Sequence, residues 1–220
     1  TQYTPEKGWD ENKLDMFRRH IIQLGTTGVF VIYDELEGKE AVTWSYLLHT
    51  VELPMEIQEL TDEVKVIGKN KAGGVSVAHL FSSAKTEQAM VDTFFCAPTN
   101  WKNVTNAQGK ALKYPNHWHF SSTTVPCKTA RFLTVMDTHG KNRPDMQVVR
   151  KGNTIQVGDW TITCNLTEKG KAAIYVSNKT EKVSLNYDAG KKEGATIVTD
   201  QVKGKQVTKV LIDYLPDFEI

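Results

Sequence analysis

The chain has 220 residues, 40% of them apolar and 24% charged, enough to bury one large core or two smaller ones. With 27 Lys and Arg against 26 Asp and Glu, the net charge of +1 carries no overall footprint for nucleic acid or an anionic membrane. No apolar run approaches the roughly 18 residues a membrane helix needs, so no membrane span is expected.

The chain opens at Thr1 with no initiator Met and no signal-peptide pattern, and is expected to be a segment of something longer. Residues 11–17 fit a turn or two of helix, or equally loop or strand. Val29-Phe30-Val31-Ile32-Tyr33 is β-branched and aromatic, too short for a buried helix, and reads as a strand. Asp34-Glu35-Leu36-Glu37-Gly38 then reads as an acidic break with a turn at Gly38. A second strand through Trp44, Tyr46 and His49 is expected to return antiparallel beside the first. Residues 54–64 have some helical spacing, but their β-branched residues run on into Val64-Lys65-Val66-Ile67. Gly73-Gly74 sits in a Lys/Asn-rich turn that needs no phosphate to explain it. Asn116-His117-Trp118-His119-Phe120 and residues 131–136 read as further strands.

The composition shifts near residues 137–144. Beyond it lie short period-two segments at 154–157, 160–164, 173–176, 183–187, 196–198 and 206–212, separated by turns such as Lys151-Gly152-Asn153 and Val157-Gly158-Asp159. Strands at this spacing predict an all-β fold: an antiparallel, multi-stranded β-sandwich rather than βαβ units. Residues 1–138 form the main β-sandwich region. Residues 139–220 are hairpins belonging to the same sandwich or to a small second one. Cys96, Cys127 and Cys164 lack C-x-x-C spacing, which leaves one disulfide or buried thiols open. Three N-x-T matches, at Asn103, Asn165 and Asn178, arise easily by chance in a Thr-rich β protein. No nucleotide-binding, nucleophile-elbow, zincin or EF-hand motif is present.

Three stretches carry a family likeness: Phe17-Arg18-Arg19-His20-Ile21-Ile22, Val29 through Leu36, and Trp44-Ser45-Tyr46-Leu47-Leu48-His49. In order and spacing they resemble the C-terminal β region of heparinase II/III-type polysaccharide lyases. Residues 130–136 resemble the strand that follows, so the likeness covers roughly residues 14–137. The resemblance implies a bacterial, periplasmic or extracellular protein in which an α/α toroid precedes antiparallel β layers. Such enzymes cleave uronic-acid-containing glycans, glycosaminoglycans among them, by β-elimination. They take the C5 proton and expel the 4-linked sugar, which needs a neutralised carboxylate, a Tyr or His base and an acid within reach. The family's catalytic residues lie in the toroid and in early strands, including a His/Asp-rich stretch that holds a metal in some members. Nothing here matches them, so no catalytic residue, metal or cofactor is expected. The expected partners are the N-terminal catalytic domains of the same polypeptide and an acidic polysaccharide, with no nucleic acid. The alternative is a stand-alone carbohydrate-binding module.

The residues themselves offer a few candidates. His117 and His119 share one strand face, opposite Trp118 and Phe120. That pair fits a sugar- or partner-facing site, a metal site if His79, His139 or Asp137 comes near, or simply two imidazoles outside an aromatic core. Trp101, in a long polar loop at 100–115, is the tryptophan best placed to stack on a sugar. Asp34, Glu35 and Glu37 read as solvated turn residues rather than a glycosidase pair. His49 reads as a core or interface histidine. Arg18 and Arg19 fit a sulfate or uronate contact, but one of an adjacent strand pair points away from the other, and an ion pair to a nearby carboxylate is the commoner fate. Tyr33, Tyr46 and Tyr114 offer phenols, with no visible partner to lower a pKa.

Overall fold

A computed structural model describes residues 3–4, 8–9, 14–51, 53–92, 105–110, 117–190, 196–202 and 205–211. The chain divides into two compact units, Thr1–Asp145 and Met146–Ile220. The described elements are all strands, every pairing is antiparallel, and no described helix is long and apolar enough to cross a membrane. The fold is all-β, as the period-two patterning requires.

In the first unit, β1 (Tyr3–Thr4) and β2 (Gly8–Trp9) form a small ribbon. The main sheet is built from β3 (Leu14–Gln23), β4 (Val29–Val42), β6 (Glu56–Leu60), β7 (Glu63–Lys69), β8 (Gly74–Ser82) and β11 (Cys127–Gly140). Its order is β3-β4-β11-β8-β7-β6. A second sheet has the order β5-β10-β9, from β5 (Ser45–Val51), β10 (His117–Thr124) and β9 (Thr86–Val91). Leu36, Phe132, Leu80 and Val66 of the large sheet share one apolar cluster with Tyr46 and Phe120 of the small one, which makes a sandwich. The Tyr46 and Phe132 rings lie 5.8 Å apart within it. Burying side chains of this size is worth about 1.5–3 kcal/mol each.

Two local expectations are corrected. Gly38 makes no turn: β4 runs 14 residues straight through it, with Asp34 and Glu35 buried in mid-strand. Both neighbours shift register beside this point, between Leu14 and Met16 and between Cys127 and Thr129. Glycine here marks a bulged stretch, the other common reason for glycine in a strand. The chain turns instead at Thr43-Trp44 and crosses to the second sheet, so β4 and β5 are not neighbours. Trp44 anchors the crossing: its backbone N–H donates to Thr124 Oγ1 at 3.0 Å and its indole N–H to the Cys127 carbonyl at 3.1 Å. The helical alternatives also fall away, because residues 14–17 and 56–60 lie in β3 and β6; residues 11–13 lie outside the described residues. Cys127 and Cys164 are thiols, and Cys96 lies outside the described residues.

The second unit is a meander in chain order: β12 (Val148–Lys151), β13 (Thr154–Val157), β14 (Trp160–Cys164), β15 (Ala173–Asn178), β16 (Val183–Asp188), β17 (Thr196–Val202) and β18 (Lys205–Leu211). Ile155, Ile162 and Val176 face one another across β13, β14 and β15 and are buried, while Gln156, Thr161 and Thr163 alternate to the other side. The first two hairpins close through two-residue loops led by Gly152 and Gly158, at φ +59° and +55°. Two of the three N-x-T asparagines have structural work in their loops. Asn165 Nδ2 donates to the carbonyls of Lys169 and Lys171 at 3.1 and 2.8 Å. Buried Asn178 accepts from the N–H groups of Thr180 and Glu181 at 2.9 and 3.0 Å. Asn103 lies outside the described residues.

The loop that Asn178 organises ends on Lys182, a non-glycine residue at φ 57°. Lys182→Gly is expected to stabilise the chain by about 0.5–1 kcal/mol, because the left-handed region costs an L side chain and not glycine. Asn178→Ala is expected to cost about 1–2 kcal/mol, since it strips two loop amides of the acceptor that a buried side chain supplies. Urea unfolding of both variants checks the opposite signs.

Candidate functional site

Strand alternation splits β5 and β10 into an inner and an outer face. Tyr46 and Phe120 point into the sandwich, and Trp118 packs against the same cluster from its partly buried position. Leu47, His49, Val51, His117, His119 and Ser121 therefore share the outer face. Register places His119 directly opposite His49, and His117 opposite Val51. The His49 and His119 rings meet edge to face, with centroids 4.3 Å apart. Val91 of β9 completes the row on the far side of His119. At the other end of the face, the Ser45 and Thr123 hydroxyls are hydrogen-bonded at 2.8 Å.

His117 and His119 thus share a face, as their spacing requires, and His49 joins them. His49 is exposed rather than a core residue, because the inward positions of β5 belong to Tyr46, Leu48 and Thr50. Nothing local in the sequence links it to His119: the pairing spans 70 positions and depends on β5 leaving the first sheet. Trp101 lies outside the described residues. The cluster offers imidazole nitrogens and hydroxyls for hydrogen bonding, flanked by the exposed apolar side chains of Leu47 and Val51. Among the described residues, no group of three His, Cys, Asp or Glu is arranged to hold a metal.

The other titratable residues serve the sheets. Arg19 donates through Nε and Nη2 to both oxygens of Asp34 at 2.7 Å, and its guanidinium lies 5.6 Å from the Tyr46 ring centroid. Arg18 pairs with Glu35 at 3.5 Å on the opposite face. The two arginines therefore do split between faces and pair with carboxylates. Asp34 and Glu35 are not solvated turn residues; they are buried carboxylates answered by arginine. Burial raises the Tyr46 pKa above its ordinary value, so the phenol keeps its proton, the wrong direction for a base. Tyr33 is fully buried, and Tyr114 lies outside the described residues. His79 and Glu63 are bonded at 2.5 Å, and His139 contacts Asp145 at 3.1 Å, so neither histidine joins the β10 pair.

No family model matches the chain, and no curated protein matches it.

Burial lowers the His119 pKa below its ordinary value, and the neighbouring His49 and His117 lower it further. Between that lowered pKa and the unfolded value of about 6.5, the unfolded chain binds more protons than the folded one. Stability from this group is therefore complete above about pH 6.5 and falls as pH drops through that window. NMR titration should find the His119 imidazole below a free histidine and shifted upward in His49→Gln. A His119 titration at or above the free value would contradict the cluster.

Proposed function

We propose that this chain is the non-catalytic C-terminal β-sandwich segment of a heparinase II/III-like polysaccharide lyase. The whole protein would cleave uronic-acid-containing glycans by β-elimination in the periplasm or outside a bacterial cell. Its catalytic domains would be the segment's first partner, and an acidic polysaccharide the second. The likeness of residues 14–137 suggests the parentage.

The observation that carries the supporting role is apolar surface left in water. Phe17 and Ile21 on edge strand β3 are 54% and 65% exposed, and Leu47 and Val51 on β5 are 56% and 46% exposed. Exposed apolar area forgoes about 25 cal/mol per Å², and a module that works alone gains nothing from it. A segment lying beneath a neighbouring domain recovers that energy on packing. Tyr33 and Tyr46 are buried, Asp34 and Glu35 lie against arginine and Glu63 against His79, in keeping with chemistry done elsewhere in the polypeptide.

The second reading is a carbohydrate-binding module using Trp101 with the His117 and His119 face. The row of outward imidazoles and hydroxyls favours it, while the inward position of Trp118 removes one stacking platform.

Both readings meet in an ultraviolet assay for the unsaturated uronate product on heparan sulfate, chondroitin and alginate. It would compare this chain with the longer polypeptide that contains it. Product from the longer polypeptide alone is the expected result. Product from the isolated chain would overturn the non-catalytic assignment. No product from either, with glycan still bound by the chain, would favour the module.

A further inference from the structure

At one end of the sandwich, the β7–β8 turn and the turn after β11 lie against each other and frame two clefts of about 550 Å³ each, which meet at Gly74. The first is lined by Lys69, Asn70, Gly74 and Ser76, with Thr50 from the other sheet. The second is lined by Gly74, Lys141, Asn142 and Arg143. The Lys141 N–H joins the two turns by donating to the Gly73 carbonyl at 2.8 Å, while within the β7–β8 turn the Gly74 N–H donates to Asn70 Oδ1 at 2.8 Å. Gly68 lets β7 pack closely on the other sheet here, since a Cβ at this position would come within 2.9 Å of Thr50 Cγ2.

The charge here is one-sided. None of the described lining residues is acidic, while Lys69, Lys141 and Arg143 are all cationic. Arg143 is bound to buried Asp137, which fixes its guanidinium at the rim. Lys69 and Lys141 are exposed. On a chain of net charge +1 this is a local concentration. Around the cations stand amide and hydroxyl groups of Asn70, Asn142, Ser76 and Thr50, which suit a ligand rich in hydroxyls. No Phe, Tyr or Trp is among the described lining residues, and the His139 ring is engaged with the Gly140 carbonyl and Asp145, so broad stacking platforms for nucleobases or neutral sugars are not offered.

We infer that this double cleft is a binding site for an anionic saccharide chain, with Lys69 and Lys141 meeting its carboxylate or sulfate groups. The site is separate from the imidazole face of β5 and β10. It deepens the lyase reading and rests on it for its biological ligand, by giving the acidic polysaccharide a named contact on this segment.

The test is calorimetric titration of the 220-residue chain with size-defined heparin, chondroitin sulfate and alginate oligosaccharides. Neutral dextran oligosaccharides and single-stranded oligodeoxythymidine serve as comparisons, and far-UV circular dichroism confirms that each variant is folded. Acidic oligosaccharides should bind with affinity that falls as salt rises. The double variant Lys69→Ser/Lys141→Ser should bind at least tenfold more weakly. Lys169→Ser/Lys171→Ser, the same charge change in the second unit, should bind as the unaltered chain does. No binding of acidic oligosaccharides, equal loss in both double variants, or equal binding of dextran or oligodeoxythymidine would each overturn the site. Alginate binding as tightly as heparin would assign carboxylate recognition, and heparin alone would assign sulfate; either supports it. Failure here with product formed by the longer polypeptide rejects the cleft and leaves the lyase reading standing. Binding here with no product from that polypeptide rejects the lyase reading and leaves the cleft.

Discussion

The first unit depends on charges buried in the middle of its longest strands. Arg19 grips Asp34 with two 2.7 Å hydrogen bonds on one face of β4. One residue along, Arg18, Glu35 and Arg131 lie in register across β3, β4 and β11 on the other face. Removing one partner of a fully buried pair costs about 3–5 kcal/mol. The Arg19 side chain is 40% exposed, which discounts that figure here. The larger consequence is for register. A one-residue slip of β3 would place each arginine on the face opposite its carboxylate, leaving buried Asp34 without its arginine. Edge strand β3, with apolar Phe17 and Ile21 facing water, is held in place by these pairs as much as by apolar packing.

Much of the fold is legible in the sequence because burial alternates with period two. The hairpins after residue 146, the split of Trp118 and Phe120 from His117 and His119, and the opposed arginines all follow from that rule. What failed were inferences from local composition about nonlocal matters. The acidic run at 34–37 resembles turn chemistry only while its arginines, 15 and 17 positions away, are out of view. Gly38 resembles a turn glycine until both flanking strands show a register shift beside it. His49 reads as a core or interface histidine because it follows Leu48 in an apolar run; it is exposed, with Leu47 pointing outward beside it and only Leu48 turning in.

The candidate site was half legible for the same reason. The spacing of His117 and His119 puts them on one face, but their third imidazole arrives from a strand in another part of the sequence. The cationic double cleft was invisible, since Gly73-Gly74 and residues 140–143 are unremarkable turns until backbone hydrogen bonding sets them side by side. Taken together, the first unit presents an imidazole face, a cationic cleft and exposed apolar side chains, those of β3 and β5 among them. Such surfaces suit a segment that touches both a neighbouring domain and an acidic ligand.

The claim most exposed to refutation is that the apolar surface of β3 is covered by another part of the same polypeptide. The direct measurement is thermal unfolding of Phe17→Ser/Ile21→Ser, in this chain alone and in the longer polypeptide that the lyase proposal requires. Exposed positions tolerate substitution, so the isolated chain should melt within about 2 °C of the unaltered one. The longer polypeptide should melt at a distinctly lower temperature, because about 1.5–3 kcal/mol of burial is lost at each position. An unchanged melting temperature in both would contradict the account and return this chain to the class of self-sufficient modules.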